Sequence, residues 1–221
     1  MDTNSKFIIM NKIIVLSGNK GVGKDTVANF MQDMFHYTLC KTFAFAKPIK
    51  EITSILLDTS LDILDDNKDR SVHEIRITDV SKSMTPRNYY TTIGDMFCKT
   101  FGKEVFAKII LKQIEESNFE FNIITDMRFR HEYNLLKELK PIFIRVKSNR
   151  VKLDTTHYSE TDLLYLSDDA FDYVIDNSGT IRDLFLRVKG IVEAIKQKSA
   201  IKHSFYKCNR IKKKKNFSFQ K

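Results

Sequence analysis

Residues 18–26 read Gly-Asn-Lys-Gly-Val-Gly-Lys-Asp-Thr, directly after the apolar run Ile13–Leu16. The spacing Gly18-x-x-x-x-Gly23-Lys24 is that of a phosphate-binding loop. Its glycines let successive backbone N–H groups point at one anion, the helix that follows adds the positive end of its dipole, and a lysine at position 24 reaches the β- and γ-phosphates. Three of the seven glycines fall in this stretch, which concentrates the freedom such a turn needs. Gly18, Lys20, Gly21, Val22, Gly23, Lys24, Asp25 and Thr26 are therefore expected around the phosphates of a nucleoside triphosphate such as ATP. The usual frame places Ser or Thr next to the lysine as a neighbour of Mg²⁺. Here Asp25 intervenes, so Thr26 is the candidate, and Asp25 has no role that physics assigns.

Other residues carry matching chemistry. The apolar stretch Phe119–Thr125 runs into Asp126. A carboxylate at the end of a strand beside the loop could hold Mg²⁺ through water or act on an acceptor. Arg128 and Arg130 follow, and a guanidinium there could stabilise a transferring phosphoryl group or clamp a phosphate in bidentate fashion. Lys50, Arg70 and Arg87 are candidate cationic anchors for an acceptor phosphate. Phe106 reads as core by periodicity, or as a platform for stacking a base. His157, Ser159 and Glu160 form a polar cluster with neither metal-ligand spacing nor a nucleophile elbow.

The elements that must position these groups alternate. Ile13–Leu16 predicts a first strand and Lys24–Phe35 a helix, with Val27, Phe30, Met31 and Met34 at helical spacing. Leu39–Phe45 predicts a second strand, and Pro48 sits in the first turn of a helix ending near Leu57. Residues 58–87 read as a polar, irregular substrate-side insertion. Thr85-Pro86 starts a helix that Gly102 stops after Phe101, and another spans Lys103–Glu116. Phe119–Thr125, Ile142–Val146 and Tyr173–Ile175 predict three more strands, with a helix at His131–Leu139 between the first two. Residues 150–169 read as a lid-like loop. Ile181 to about Lys198 is a strongly amphipathic helix. Strands alternating with helices imply an α/β fold with three layers: a roughly five-stranded parallel sheet, helices on both faces, and a lid or insertion region.

Composition sets the outer bounds. The 221 residues suit one domain, read as a flexible lead over 1–11, a body over 12–200 and a tail over 201–221. Met10 is an alternative start. The net charge of +9 is not a property of the body: residues 201–221 hold eight Lys and Arg and no acid, leaving the remainder near +1. The tail reads as disordered and solvated, with nucleic acid a partner only nonspecifically and only through it. Cys40, Cys98 and Cys208 are odd in number and widely spaced, which points to a reducing, cytoplasmic setting without a disulfide framework. No apolar run approaches the ~20 residues that span a bilayer. Asn11 and Lys12 interrupt Phe7–Leu16 as a signal-peptide core.

Several motifs occur in a fixed order: Ser17-Gly18 through Gly23-Lys24-Asp25-Thr26, Ala46-x-Pro48-Ile49-Lys50-Glu51, and Thr85-Pro86-Arg87 with Gly94. Further along come Thr125-Asp126-x-Arg128 with His131-Glu132, His157-x-Ser159-Glu160, and Asp172-Tyr173-Val174-Ile175-x-Asn177-x-Gly179. Together, over about residues 12 to 195, they resemble the deoxynucleoside monophosphate kinases of phages and large DNA viruses. The resemblance implies a P-loop kinase fold with ATP on Lys24 and the loop, and Mg²⁺ at Thr26 and Asp126. It places Lys50, Arg87 and Arg128 around a deoxynucleoside monophosphate, with Arg70 a looser match. It also puts Gly94, Asp95, Phe106, His131, Glu132 and Glu160 on the substrate side. Lys24, Arg87, Asp126 and Arg128 would carry the catalysis. Two other readings stay open: a phosphomevalonate-type kinase, which shares the Gly-Lys-Asp loop and the Asp-x-Arg turn, and a non-enzymatic nucleotide- or nucleic-acid-binding module that uses the tail. Base preference and oligomeric state, a homodimer included, are open as well.

Overall fold

The computed structural model describes residues 12–75, 83–152 and 158–217. The lead with Met10, His157 and the last residues of the tail lie outside them.

Five strands build one sheet: β1 (Lys12–Ser17), β2 (Cys40–Phe43), β3 (Phe121–Met127), β4 (Ile142–Lys147) and β5 (Tyr173–Asp176). Their order is β2-β3-β1-β4-β5, and every pairing is parallel. Consecutive residues of a strand face opposite sides, so β1 is apolar throughout because both its faces are covered. Ile14 and Leu16 pack under α1 (Lys24–Phe35) and α8 (Ile181–Phe217), together with Val27, Met31, Val188 and Val192. Val15 faces the other way, toward Ala107, Ile110 and Ile114 of α5 (Val105–Glu115) and toward Tyr133 and Leu136 of α6 (Arg130–Lys137). This is the expected three-layer α/β arrangement. Its strand order reverses at β1, where the loop after that strand opens onto the carboxyl edge of the sheet.

The predicted helix starts have local causes. Thr85 caps α4 (Pro86–Phe101), its hydroxyl accepting from the Asn88 N–H at 3.2 Å, and Gly102 at φ 94° ends it. Pro48 lies in the first turn of α2 (Lys47–Leu56). Four stretches differ from the sequence reading. Residues 58–87 contain a helix, α3 (Leu61–Asp66), capped by Ser60. Leu57, Leu64 and Val72 form a small core there against Ile75, Tyr89 and Tyr90. β3 continues through Met127, so Asp126 lies inside the strand. The helix expected to end near Lys198 runs on to Phe217. Between residues 150 and 169 a short helix, α7 (Tyr158–Thr161), is followed by a 3₁₀ turn at Asp168–Ala170.

Candidate functional site

The loop between β1 and α1 is built around positive backbone angles. Gly18 has φ 147°, and a side chain there would run into the Val146 carbonyl of β4. Gly23 has φ 94°, and a Cβ would strike the Asn177 amide. That amide is a structural brace, for Asn177 Nδ2 donates to the Val22 carbonyl at 3.0 Å. Lys24 is 93% buried by its environment, with only 7% exposure. Its ammonium donates to the carbonyls of Gly18 at 2.7 Å and Asn19 at 2.9 Å. A cation this buried stays only where its donors are satisfied. Lys20 and Asp25 are exposed, while Thr26 is partly buried in the first turn of α1. Asp25 stands where a helix dipole favours negative charge.

A second cationic group lies where α2 meets the insertion. Lys50 Nζ is 2.8 Å from Asp65 Oδ2, and Lys68 is 3.4 Å from Oδ1 of the same carboxylate. Burial pushes Asp65 up, but the two lysines outweigh it and hold the carboxyl below its ordinary value. Arg87 meets Asp69 in a fork, Nε to Oδ1 at 2.6 Å and Nη2 to Oδ2 at 3.1 Å. The hydrogen bond to Arg87 also lowers Asp69, and the charges of Lys20 and Lys68 add to the effect. Lys20 belongs to the phosphate loop, so loop and insertion act on one carboxylate. Arg70 points elsewhere, toward Asn67 and Glu74. Gly94 is buried where α4 meets Ile49 of α2, Phe106 is buried beside Phe97, and Asp95 is exposed on α4.

Where β3 passes into α6, carboxylates pin the backbone. Asp126 accepts the N–H of Phe45 on Oδ1 at 2.7 Å and that of Ala46 on Oδ2 at 3.0 Å. Burial raises its pKa, opposed by those two bonds and by the charges of Arg128 and Lys50. Glu132, 6% exposed, accepts the N–H groups of Arg128 at 2.8 Å and Phe129 at 2.9 Å on one oxygen. Burial pushes the Glu132 carboxyl up to about 8. Asp162 accepts the Arg130 N–H at 2.6 Å, and the Arg130 guanidinium lies 3.7 Å from the centre of the Tyr165 ring. His131 stacks on Phe129 with centroids 5.2 Å apart, and burial lowers its pKa.

Arg128 lines a cavity of about 510 Å³ with Ser17, Gly18, Asn19 and Val22 of the loop, Arg145 of β4, and Leu163 and Leu164. Arg145 fastens the far side of that cavity. It donates to the carbonyls of Leu166 at 2.9 Å and Leu163 at 3.3 Å, and pairs with Asp168 at 3.0 Å. Much of the segment read as a lid is thus clamped onto the sheet. Of the residues singled out in the sequence, the loop and Arg128 share this cavity, while Lys50 of α2 and Arg87 each pair with an acid of the insertion, Asp65 and Asp69. Asn177, Arg145, Asp162, Asp65 and Asp69 are site-building residues that periodicity did not mark. Asn177 stands in the Asp172–Gly179 motif, and Asp65 and Asp69 share the polar stretch 58–87 with Arg70 and Arg87; Arg145 and Asp162 have no such signal. Among the described residues no group of three or more His, Cys, Asp or Glu side chains could cage a metal.

A parallel sheet with a phosphate loop after its central strand, and an arginine lining the cavity beside that loop, defines a P-loop nucleotide kinase. The family model for deoxynucleotide monophosphate kinases matches residues 12–72 and 57–188. The chain belongs to that family and is a phosphotransferase that acts on nucleotide monophosphates. A relative from Acanthamoeba polyphaga mimivirus, provisionally named a deoxynucleotide monophosphate kinase, is 25% identical over 199 residues, covering 84% of this chain and 98% of its own. Among the described residues no helix is long and apolar enough to cross a membrane.

Proposed function

We propose that this chain transfers the γ-phosphoryl group of ATP to the phosphate of a deoxynucleoside monophosphate, releasing ADP and a deoxynucleoside diphosphate. The carrying observation is the cavity that Arg128 lines together with Ser17, Gly18, Asn19 and Val22 of the phosphate loop. A phosphate loop and an arginine that line one space suit a reaction in which a phosphoryl group is transferred between phosphates.

In this reading the loop N–H groups and Lys24 hold the β- and γ-phosphates, and Lys50 and Arg87 hold the acceptor phosphate. An acceptor oxygen attacks the γ-phosphorus in line as the bond to the β–γ bridging oxygen breaks. The acceptor is already an anion near pH 7, so no strong general base is needed. Arg128 faces the charge that spreads over the equatorial oxygens. The donor set fits Mg²⁺. Thr26 offers a hydroxyl in the first turn of α1, and each Asp126 oxygen keeps a lone pair beyond its one backbone N–H bond, so Asp126 would hold the ion through water. Bound there, Mg²⁺ supplies positive charge that offsets the terminal phosphates. Leu163, buried and held through its carbonyl by Arg145, helps keep water from the loop.

A coupled assay of ADP release with ATP, Mg²⁺ and dTMP, dGMP, dCMP or mevalonate phosphate tests the reading. Turnover with at least one deoxynucleoside monophosphate is expected. Turnover with mevalonate phosphate alone would overturn it.

A further inference from the structure

We infer that Glu132 is a positioning residue that acts through Arg128, and that it does not contact the acceptor's nucleoside. The inference rests on the reading of Arg128 as the arginine facing the transferred phosphoryl group. The turn between β3 and α6 consists of Arg128 and Phe129 alone. Both N–H groups of that turn go to Glu132 Oε2, at 2.8 and 2.9 Å. The next N–H, of Arg130, goes to the buried carboxylate of Asp162 at 2.6 Å. Two residues upstream, Asp126 ties the same strand to the backbone of Phe45 and Ala46. Residues 126–130 are thus fixed on both sides by carboxylates, and Arg128 is the member of the run that lines the cavity beside Gly18.

Glu132 itself is shut away from the cavity. It is 6% exposed and absent from the cavity lining. Its charged neighbours are Asp126 and Arg128 from the β3 side, and its own field reaches Cys98 of α4. A side chain so placed sets the backbone angles of Arg128. A misplacement of about 1 Å at such a group can cost on the order of a hundredfold in rate.

A double-mutant cycle on kcat tests this, with ATP and whichever of dTMP, dGMP and dCMP supports turnover. Arg128→Ala and Glu132→Ala are each expected to lower kcat at least about tenfold, with the monophosphate KM within about threefold of the starting enzyme. In the Arg128→Ala background, Glu132→Ala is expected to lower kcat by no more than about twofold further. Glu132→Gln keeps an acceptor oxygen for the two N–H groups. It is expected to lose no more than about threefold in kcat with KM unmoved, and it supplies the cycle if Glu132→Ala does not fold. Losses that multiply across the cycle overturn the inference. So does a tenfold rise in monophosphate KM for Glu132→Gln, which marks a substrate contact. An undiminished kcat in Arg128→Ala instead removes the reading of Arg128.

Discussion

Arg87 and Asp69 lock together as a two-bond fork on the acceptor side, with nitrogen–oxygen distances of 2.6 and 3.1 Å. Both side chains are largely open to water, at 40% and 70% exposure. An exposed pair of this kind contributes about 0.2–1 kcal/mol, so a substrate phosphate can exchange for Asp69 at little cost. Asp69→Asn is expected to lower the monophosphate KM by up to about fivefold, the same energy expressed as affinity, while the ATP KM stays put. Steady-state kinetics with each substrate varied in turn checks this. A raised KM would mean that Asp69 aims Arg87 instead of competing for it.

Asn177 links the far edge of the sheet to the loop through its 3.0 Å bond to the Val22 carbonyl. Asn177→Ala is expected to cost about 1 kcal/mol of stability and to raise the ATP KM with little effect on the monophosphate. Urea unfolding and initial rates read the two effects separately. Gly23→Ala is expected to be worse on both, because it combines a positive φ with a collision against the same amide.

Arg145 is 13% exposed and joins the 163–168 segment to β4. Arg145→Met keeps the apolar stem but leaves the carbonyls of Leu163 and Leu166 without this donor. A loss of about 2 kcal/mol in urea unfolding is expected, together with faster proteolysis within that segment. Unchanged protection would show that the apolar contacts of Leu163 and Phe171 hold it alone.

Glu132 gives a pH signature. Burial raises its carboxyl from the ordinary 4.5 to about 8 in the folded chain. The folded state therefore binds the extra proton. Stability from this group is fully present below pH 4.5 and is lost as pH rises through 8. Asp126 is raised too and works in the same direction. The Tm of the starting protein is expected to fall relative to that of Glu132→Gln between pH 5 and 9. Parallel Tm curves would contradict the assignment.

The parts legible from sequence were those set by local pattern. The helix limits at Lys24, Phe35, Pro86 and Phe101 follow from a glycine turn, a cap and a proline, and all stand where expected. Strands buried on both faces announce themselves as apolar runs, so the parallel sheet was readable. What escaped was pairing over distance. Asp126 meets Phe45 and Ala46 across 81 and 80 positions, and Asn177 meets Val22 across 155. No periodicity encodes such a contact. The insertion looks irregular in sequence because α3 is short and acidic, and its core of Leu57, Leu64 and Val72 closes only once the chain has folded back.

Lys24 carries the central claim. The direct measurement is ADP release dependent on a deoxynucleoside monophosphate, compared between the starting protein and Lys24→Ala, with Tm recorded for both. Lys24→Ala is expected to remain folded and to lose at least about a hundredfold in kcat, the scale of removing one preorganised charge from a transition state. A folded Lys24→Ala protein that turns over at the original rate would contradict it.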